Sequence, residues 1–130
     1  MFHSIQIPFD SVMLFNVVKL KPDVEFDDVE MAIAEMCNVV KNNYGDDNGG
    51  FIAGQVFKYA GFVSTEGSVG EAGAEGEHIA IVTYWKSFDQ HETSHADQLF
   101  MEKFSFLTEL CTETKELGYE LLWQGDTEVL

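Results

Sequence analysis

The segment His91-Glu92-Thr93-Ser94-His95 places two imidazoles four residues apart, with a carboxylate directly after the first. On a helix, residues at i and i+4 share a face. The spacing is literally the H-E-x-x-H pattern of zinc metalloproteases, in which Glu92 would act as general base for metal-assisted hydrolysis. A third ligand would then come from Glu109, Glu113 or Glu116 downstream. That architecture also needs a cleft beside an edge strand and a larger supporting domain. The plainer reading is that one His lines a pocket and the other is a surface residue. Imidazole titrates near neutrality, so His91 and His95 are the candidate catalytic bases. No metal ligand and no cofactor are assigned, and a metal-dependent enzyme using His91-Glu92-His95 is the alternative.

Asn16 sits among Leu14, Val18 and Leu20. A buried amide must be hydrogen-bonded, and a strand's own ladder does not use it. It either orients a ligand oxygen or dioxygen, or bonds a neighbouring backbone. Tyr84, Trp85, Tyr119 and Trp123 concentrate aromatic surface late in the chain, and Phe100, Met101 and Phe104 follow on a helical pattern. Such density means core packing or a flat aromatic-binding slot. The candidate ligand-binding set is Asn16, Tyr84, Trp85, Phe100, Phe104 and Trp123. There is no nucleophile elbow, phosphate loop or Cys-x-x-Cys pair, so a Ser or Cys hydrolase is not supported.

Charge narrows the partners. The 130 residues hold 23 acids against 7 bases, all Lys, for a net charge of -16. That field repels nucleic acid and anionic membrane surfaces. Without Arg the chain lacks the usual bidentate clamp for phosphates. The two cysteines, Cys37 and Cys111, fall on apolar helix faces and read as buried free thiols rather than a disulfide framework. No apolar run approaches the ~20 residues of a membrane span. Met1-Phe2-His3-Ser4 shows no positive segment before an apolar one, so the cytoplasm is the expected compartment.

These residues must be positioned by regular elements. Residues 1–11 read as an N-terminal extension or edge strand, with Ile5, Ile7 and Phe9 alternating and Pro8 confining any strand to an edge. Residues 12–130 read as one domain. Val12 to Leu20 is a strand. A helix is expected from Asp28 to Tyr44, started by an Asp27/Glu30 capping box and carrying Val29, Ile33, Met36 and Val40 on one stripe. Phe51 to Val63 reads as a strand with Phe51, Ala53, Gln55, Phe57 and Tyr59 on one face. Ser64 to Glu77, with four Gly and four Glu, reads as a hairpin tip, or a lid over a pocket. His78 to Trp85 is the next strand, followed by a Ser87-capped short helix to Ser94. A longer helix is expected from Asp97 to Leu117, stopped by Gly118, before a last strand from Tyr119 to Gln124.

The order β-α-β-β-α-β is that of a ferredoxin-like α+β unit, an antiparallel sheet with the helices on one face. Yet the strands are apolar on both faces: Phe15 and Val17 need cover as much as Leu14 and Val18. A second copy of the sheet, related by a two-fold axis, supplies that cover, so a homodimer is expected.

The run Thr83-Tyr84-Trp85-Lys86-Ser87, then His91 to Ala96, then Phe100 and Phe104, resembles the strand–Trp-x-Ser–helix–His–Ser–Phe segment of the antibiotic biosynthesis monooxygenase-like dimeric α/β-barrel family. The resemblance in element order runs from Val12 to Gln124. It implies a back-to-back sheet dimer and an apolar cleft between sheet and helices that takes a small apolar or aromatic ligand. It also implies activities ranging from cofactor-independent oxygenation of quinol-like aromatics to haem degradation, small isomerisations and members with no known reaction; a non-catalytic ligand-binding or stress-linked protein on the same scaffold is a further alternative. Asn16 is similar to the strand Asn of haem-degrading members. Their helical Trp and His fall here at about Ser94 and Phe104, so haem degradation is not expected. The resulting expectation is a dimeric ligand-binding barrel, a candidate cofactor-independent monooxygenase, with no nucleic-acid or membrane partner.

Overall fold

The run from Val12 to Leu20 is a nine-residue strand, β1, and it is the middle of the molecule. In the computed structural model, which describes residues 4–61, 77–125 and 127, β1 is followed by helix α1 (Phe26–Tyr44) and strands β2 (Phe51–Lys58) and β3 (His78–Trp85). Helices α2 (Phe88–Ser94) and α3 (Gln98–Glu109) and strand β4 (Cys111–Glu120) complete the order. The four strands form one antiparallel sheet in the order β2-β3-β1-β4. The fold is therefore ferredoxin-like α+β. The sheet is open: one chain does not close a barrel.

Register decides which side chains meet. Leu14, Asn16 and Val18 of β1 pair with Thr83, Ile81 and Ile79 of β3, and with Gly118, Glu116 and Thr114 of β4. All of these point to the helix-covered face, because directly paired residues share a face. There Val18, Leu20, Ile79 and Ile81 pack with Val29, Ile33 and Met36 of α1 and Leu107 of α3. A second cluster joins Leu14 and Trp85 to Val40. Met13, Phe15 and Val17, with Ala80, Val82, Tyr84, Leu117 and Tyr119, point to the other face, which no helix of the described residues covers.

Several boundaries differ from expectation, each for a local reason. Helix α1 starts two residues early, because Glu25 rather than Asp27 is the cap and its N–H donates to Asp28 Oδ2 at 2.8 Å. In β2 an irregularity between Phe51 and Ala53 breaks the expected shared face. Phe51 pairs opposite Trp85 on the helix side, while Ala53 and Gln55 turn to the other face. The strand ends at Lys58; the Phe62–Val63 end expected for it and the Ser64–Gly76 stretch lie outside the described residues. Residues 4–10 join no strand.

The largest change is at the C-terminal end. The helix expected to run to Leu117 stops at Glu109, and a strand takes over from Cys111. Leu107 is buried and Leu110 and Cys111 still pack against the core, but every residue from Thr112 to Glu120 is exposed, so a longer helix would find little to pack against. The backbone of β1 instead offers ladder partners from Val12 to Leu20. A register irregularity at Lys19/Leu20 brings Cys111 opposite Leu20 and leaves Thr112 unpaired. Among the described residues no helix is long and apolar enough to cross a membrane.

Candidate functional site

Helix α2 is only seven residues long, too short to persist by itself. It is held at both ends. Ser87 caps it, accepting from the Gln90 N–H at 3.2 Å. The Gln90 amide donates to the carbonyls of Asp47 and Asn48 at 3.0 and 3.1 Å, pinning the helix to the loop before β2. The buried Ser94 hydroxyl returns to the His91 carbonyl at 2.6 Å. Phe88 lies against Gly118 of β4: a Cβ there would meet the ring at 2.9 Å, so glycine lets the helix approach the sheet.

This seating presents His91 and His95 to the sheet. Their Nε2 atoms are 3.0 Å apart. Across from them, Glu116 of β4 places Oε2 3.3 Å from His91 Nε2 and Oε1 3.5 Å from His95 Nε2. The His91 side chain is 7% exposed, that of Glu116 30% and that of His95 41%, so the cluster runs from the interior to the cleft. Burial alone would raise the Glu116 pKa. The hydrogen bond from His91, the nearby imidazoles and the Asn16 amide outweigh it and hold the carboxyl below its ordinary value.

The ring planes are fixed by aromatic neighbours. His91 meets the edge of Trp85 at 5.2 Å and 75°. His95 stacks on Phe100 at 5.8 Å and 11°, and Phe100 stacks on Phe104 at 6.0 Å. These side chains line an open cleft of about 1330 Å³ between the sheet and the helices. Trp85 is 1% exposed, and its indole N–H is spent on Thr83 Oγ1 at 2.9 Å, so it contributes a wall rather than a donor. Asn16 Nδ2 donates to the Ile81 carbonyl at 3.1 Å, the structural bond that its sequence context left open, while its amide also faces Glu116.

Six of the eight candidate site residues thus line one cleft: Asn16, Trp85, His91, His95, Phe100 and Phe104. Two do not. Tyr84 points to the opposite sheet face and donates to Gln55 Oε1 at 3.0 Å, because strand alternation separates it from Trp85. Trp123 follows the end of β4 and is 80% exposed. Glu92, expected as a general base if a metal were held by the two His, is exposed and lies outside the cleft lining. Its place in the cluster is taken by Glu116, one of three downstream acids the spacing left open and the one that the β4 register delivers beside Asn16.

No protein-family model matches the chain, and no curated protein sequence matches it. Solved structures do. SnoaB of Streptomyces nogalater, a cofactor-independent oxygenase, aligns at TM-score 0.62 and 15% identity over 92% of this chain and 99% of its own. The hydroxynitrile lyase of Passiflora edulis aligns at TM-score 0.65 and 13% identity over 92% and 100%. A Caulobacter crescentus protein grouped with the antibiotic biosynthesis monooxygenases aligns at TM-score 0.65 and 10% identity over 88% and 92%. At these identities the likeness is one of fold, and the fold is that of the antibiotic biosynthesis monooxygenase-like proteins. Activities as different as an oxygenase and a lyase are carried on it.

Proposed function

We propose that this chain binds a small apolar or aromatic molecule in the cleft between sheet and helices, and acts on it by proton abstraction at the His91–His95–Glu116 junction. The observation that carries the reading is a proton-holding cluster of three residues set in an aromatic wall. Four polar atoms, two Nε2 and two carboxylate oxygens, meet there beside Trp85, Phe100 and Phe104. A neutral imidazole accepts a proton from an acidic substrate hydroxyl, and the resulting imidazolium is stabilised by the Glu116 carboxylate at hydrogen-bond range. His95 is the half-exposed member and meets the substrate, keeping the abstracted proton beside Glu116 Oε1 at 3.5 Å, while buried His91 holds Glu116 Oε2 at 3.3 Å.

The substrate anion so formed is electron-rich enough to reduce dioxygen itself, which is the cofactor-independent oxygenase reading. On this fold SnoaB carries that description, which supports the reaction class. The experiment is oxygen uptake with dihydroxynaphthalene as probe. Removing a positioned base should lower the rate by about 10²–10⁴-fold in Glu116→Gln and His95→Ala. Tight probe binding without oxygen uptake would refute the oxygenase and leave a non-catalytic binding protein.

We propose also that a second copy covers the other sheet face. Phe57, Leu117 and Tyr119 are 50%, 37% and 46% exposed there, beside buried Val82. Monomeric proteins rarely leave such a contiguous apolar face in water. A dimer mass by sedimentation equilibrium, lost in Phe15→Glu, is the expected result; a monomeric wild-type chain would sink the proposal.

A further inference from the structure

We infer that His91, His95 and Glu116 together form a site for one divalent first-row transition-metal ion, held by two imidazole nitrogens and one strand carboxylate. The three residues each turn one ligating atom to a common point, with those atoms within 4.8 Å of one another.

The spacing is near that of an ion's donors. Imidazole and carboxylate donors bind zinc at about 2.0–2.2 Å, which sets neighbouring donors of a tetrahedron roughly 3.3–3.6 Å apart. The two Nε2 atoms are 3.0 Å apart, a few tenths of an ångström inside that range, and each imidazole faces its own carboxylate oxygen, His91 with Oε2 at 3.3 Å and His95 with Oε1 at 3.5 Å. Proton counting points the same way. Each Nε2 bears either a hydrogen or a lone pair. Two hydrogens facing each other would collide across the 3.0 Å gap, two facing lone pairs would repel, and two hydrogens turned to the separate Glu116 oxygens would still leave two positive rings in contact. A proton shared by the two nitrogens satisfies one contact of the three, whereas a cation between the rings and the carboxylate serves all of them at once.

The surroundings are those of a prepared site. The ring planes are set by Trp85 and Phe100, and Asn16 faces the Glu116 carboxylate from the adjacent strand. Two nitrogens and one oxygen suit zinc, iron or cobalt rather than calcium or magnesium, which prefer all-oxygen shells. Three protein ligands leave a coordination position facing the cleft, the arrangement of sites that bind substrate rather than only brace a fold. The ligand set is not H-E-x-x-H: Glu92 is solvent-exposed, and the carboxylate comes from a strand 20-odd residues on, roughly where only folding could bring it. Ion and proton would compete for the same lone pairs, but the metal site does not depend on the oxygenase reading.

The test is titration of chelator-treated protein with Zn²⁺ against a chromophoric competitor, and with Co²⁺ followed by its visible absorption. One ion per chain is expected, with the intense visible bands of low-coordinate cobalt. Glu116→Gln and His95→Ala should each weaken Zn²⁺ by more than the roughly 10–100-fold that an outer-shell partner commands, while Asn16→Ala falls in that range. Glu92→Gln should leave affinity unchanged. The glutamine variant keeps the shape of the side chain, and circular dichroism checks that both ligand variants fold. Absence of a stoichiometric site in the wild type would overturn the inference. So would affinity indifferent to His95→Ala, or lost equally in Glu92→Gln, since either result assigns the ion to the acidic surface. Dihydroxynaphthalene binding that survives alongside no metal site would overturn this inference alone and leave the pocket reading standing.

Discussion

Gly118→Ala tests whether the seating of α2 sets the site. The new Cβ would sit 2.9 Å from Phe88 Cε1, against an optimal carbon–carbon separation of about 3.5–4.0 Å. The ring must therefore withdraw by roughly 0.6–1.1 Å. Phe88 packs against the Leu14–Val40–Trp85 cluster, so withdrawal disturbs that packing too. Overpacking of this kind costs about 1–3 kcal/mol. Gly118 has no positive φ, so alanine meets no backbone strain and regains about 0.4–1 kcal/mol by restricting the unfolded chain. The net expectation is a loss of about 0.5–2 kcal/mol. Phe88 opens the helix that carries His91 and His95, so the same substitution should pull the imidazoles from Glu116; a shift near 1 Å can cost about 10²-fold in rate. The assay is urea denaturation of Gly118→Ala, Phe88→Leu and the double variant, with oxygen uptake on each. The clash predicts a non-additive cycle, with coupling of about 0.5–3 kcal/mol. Additive losses would refute the contact. A stability loss with unchanged uptake would refute the link from Gly118 to the cluster.

Three further outcomes follow from the same geometry. Glu116 is held below its ordinary pKa, so its stabilising contribution is fully present above the unfolded value and disappears as pH falls through the lower folded value; wild type should lose more stability than Glu116→Gln between neutral and strongly acid pH, measured by urea midpoints in chelating buffer, and parallel curves would contradict this. Asp97 caps α3 by accepting from the Phe100 N–H at 3.0 Å and also accepts from the Tyr44 hydroxyl at 2.8 Å, so Asp97→Ala should cost about 1–2 kcal/mol, read as a fall in the denaturation midpoint. Burial pushes the Cys37 thiol up, so it should react with a disulfide reagent far more slowly in the native protein than in urea; equal rates would show that α1 opens readily.

Much of the fold was legible because strong local signals agreed with tertiary need. The alternation of Val12–Leu20 and His78–Trp85, the Ser87 cap and the stripe of α1 all reappear as elements. The failure at β4 is instructive. Phe100, Phe104, Leu107 and Cys111 keep helical spacing, and Glu113, Lys115 and Glu116 are good helix formers, so local preference favours a longer helix. The open edge of β1 overrides it, a non-local demand that no window of sequence displays. The site followed the same division. His91 and His95 announced themselves by spacing. Asn16 was marked by polarity in an apolar strand. Glu116 was one of three equivalent acids until the strand register chose it. The Thr112–Thr114 alternation of β-branched residues was the available hint of extended structure. Trp123 looked like a cleft aromatic only because the strand was placed too late.

Because β4 is an edge strand joined, among the described residues, only to β1, the assembly of the His91–His95–Glu116 junction depends on a ladder that can be mis-zipped. A slip of one residue turns Glu116 to the far side of the sheet; a slip of two offers Thr114 or Gly118 to the imidazoles in its stead. Either product could keep most of its hydrogen bonds and its helical core while lacking a carboxylate at the junction. The extra residue at Thr112 is a bulge that lets Cys111 reach Leu20 without disturbing the pairs from Glu113 onward. Removing Thr112 alone would leave Lys19 opposite Glu113 and Leu20 opposite Cys111, with Glu116 still opposite Asn16, so only slippage of the ladder beyond the bulge separates a well-folded molecule from one with an assembled junction.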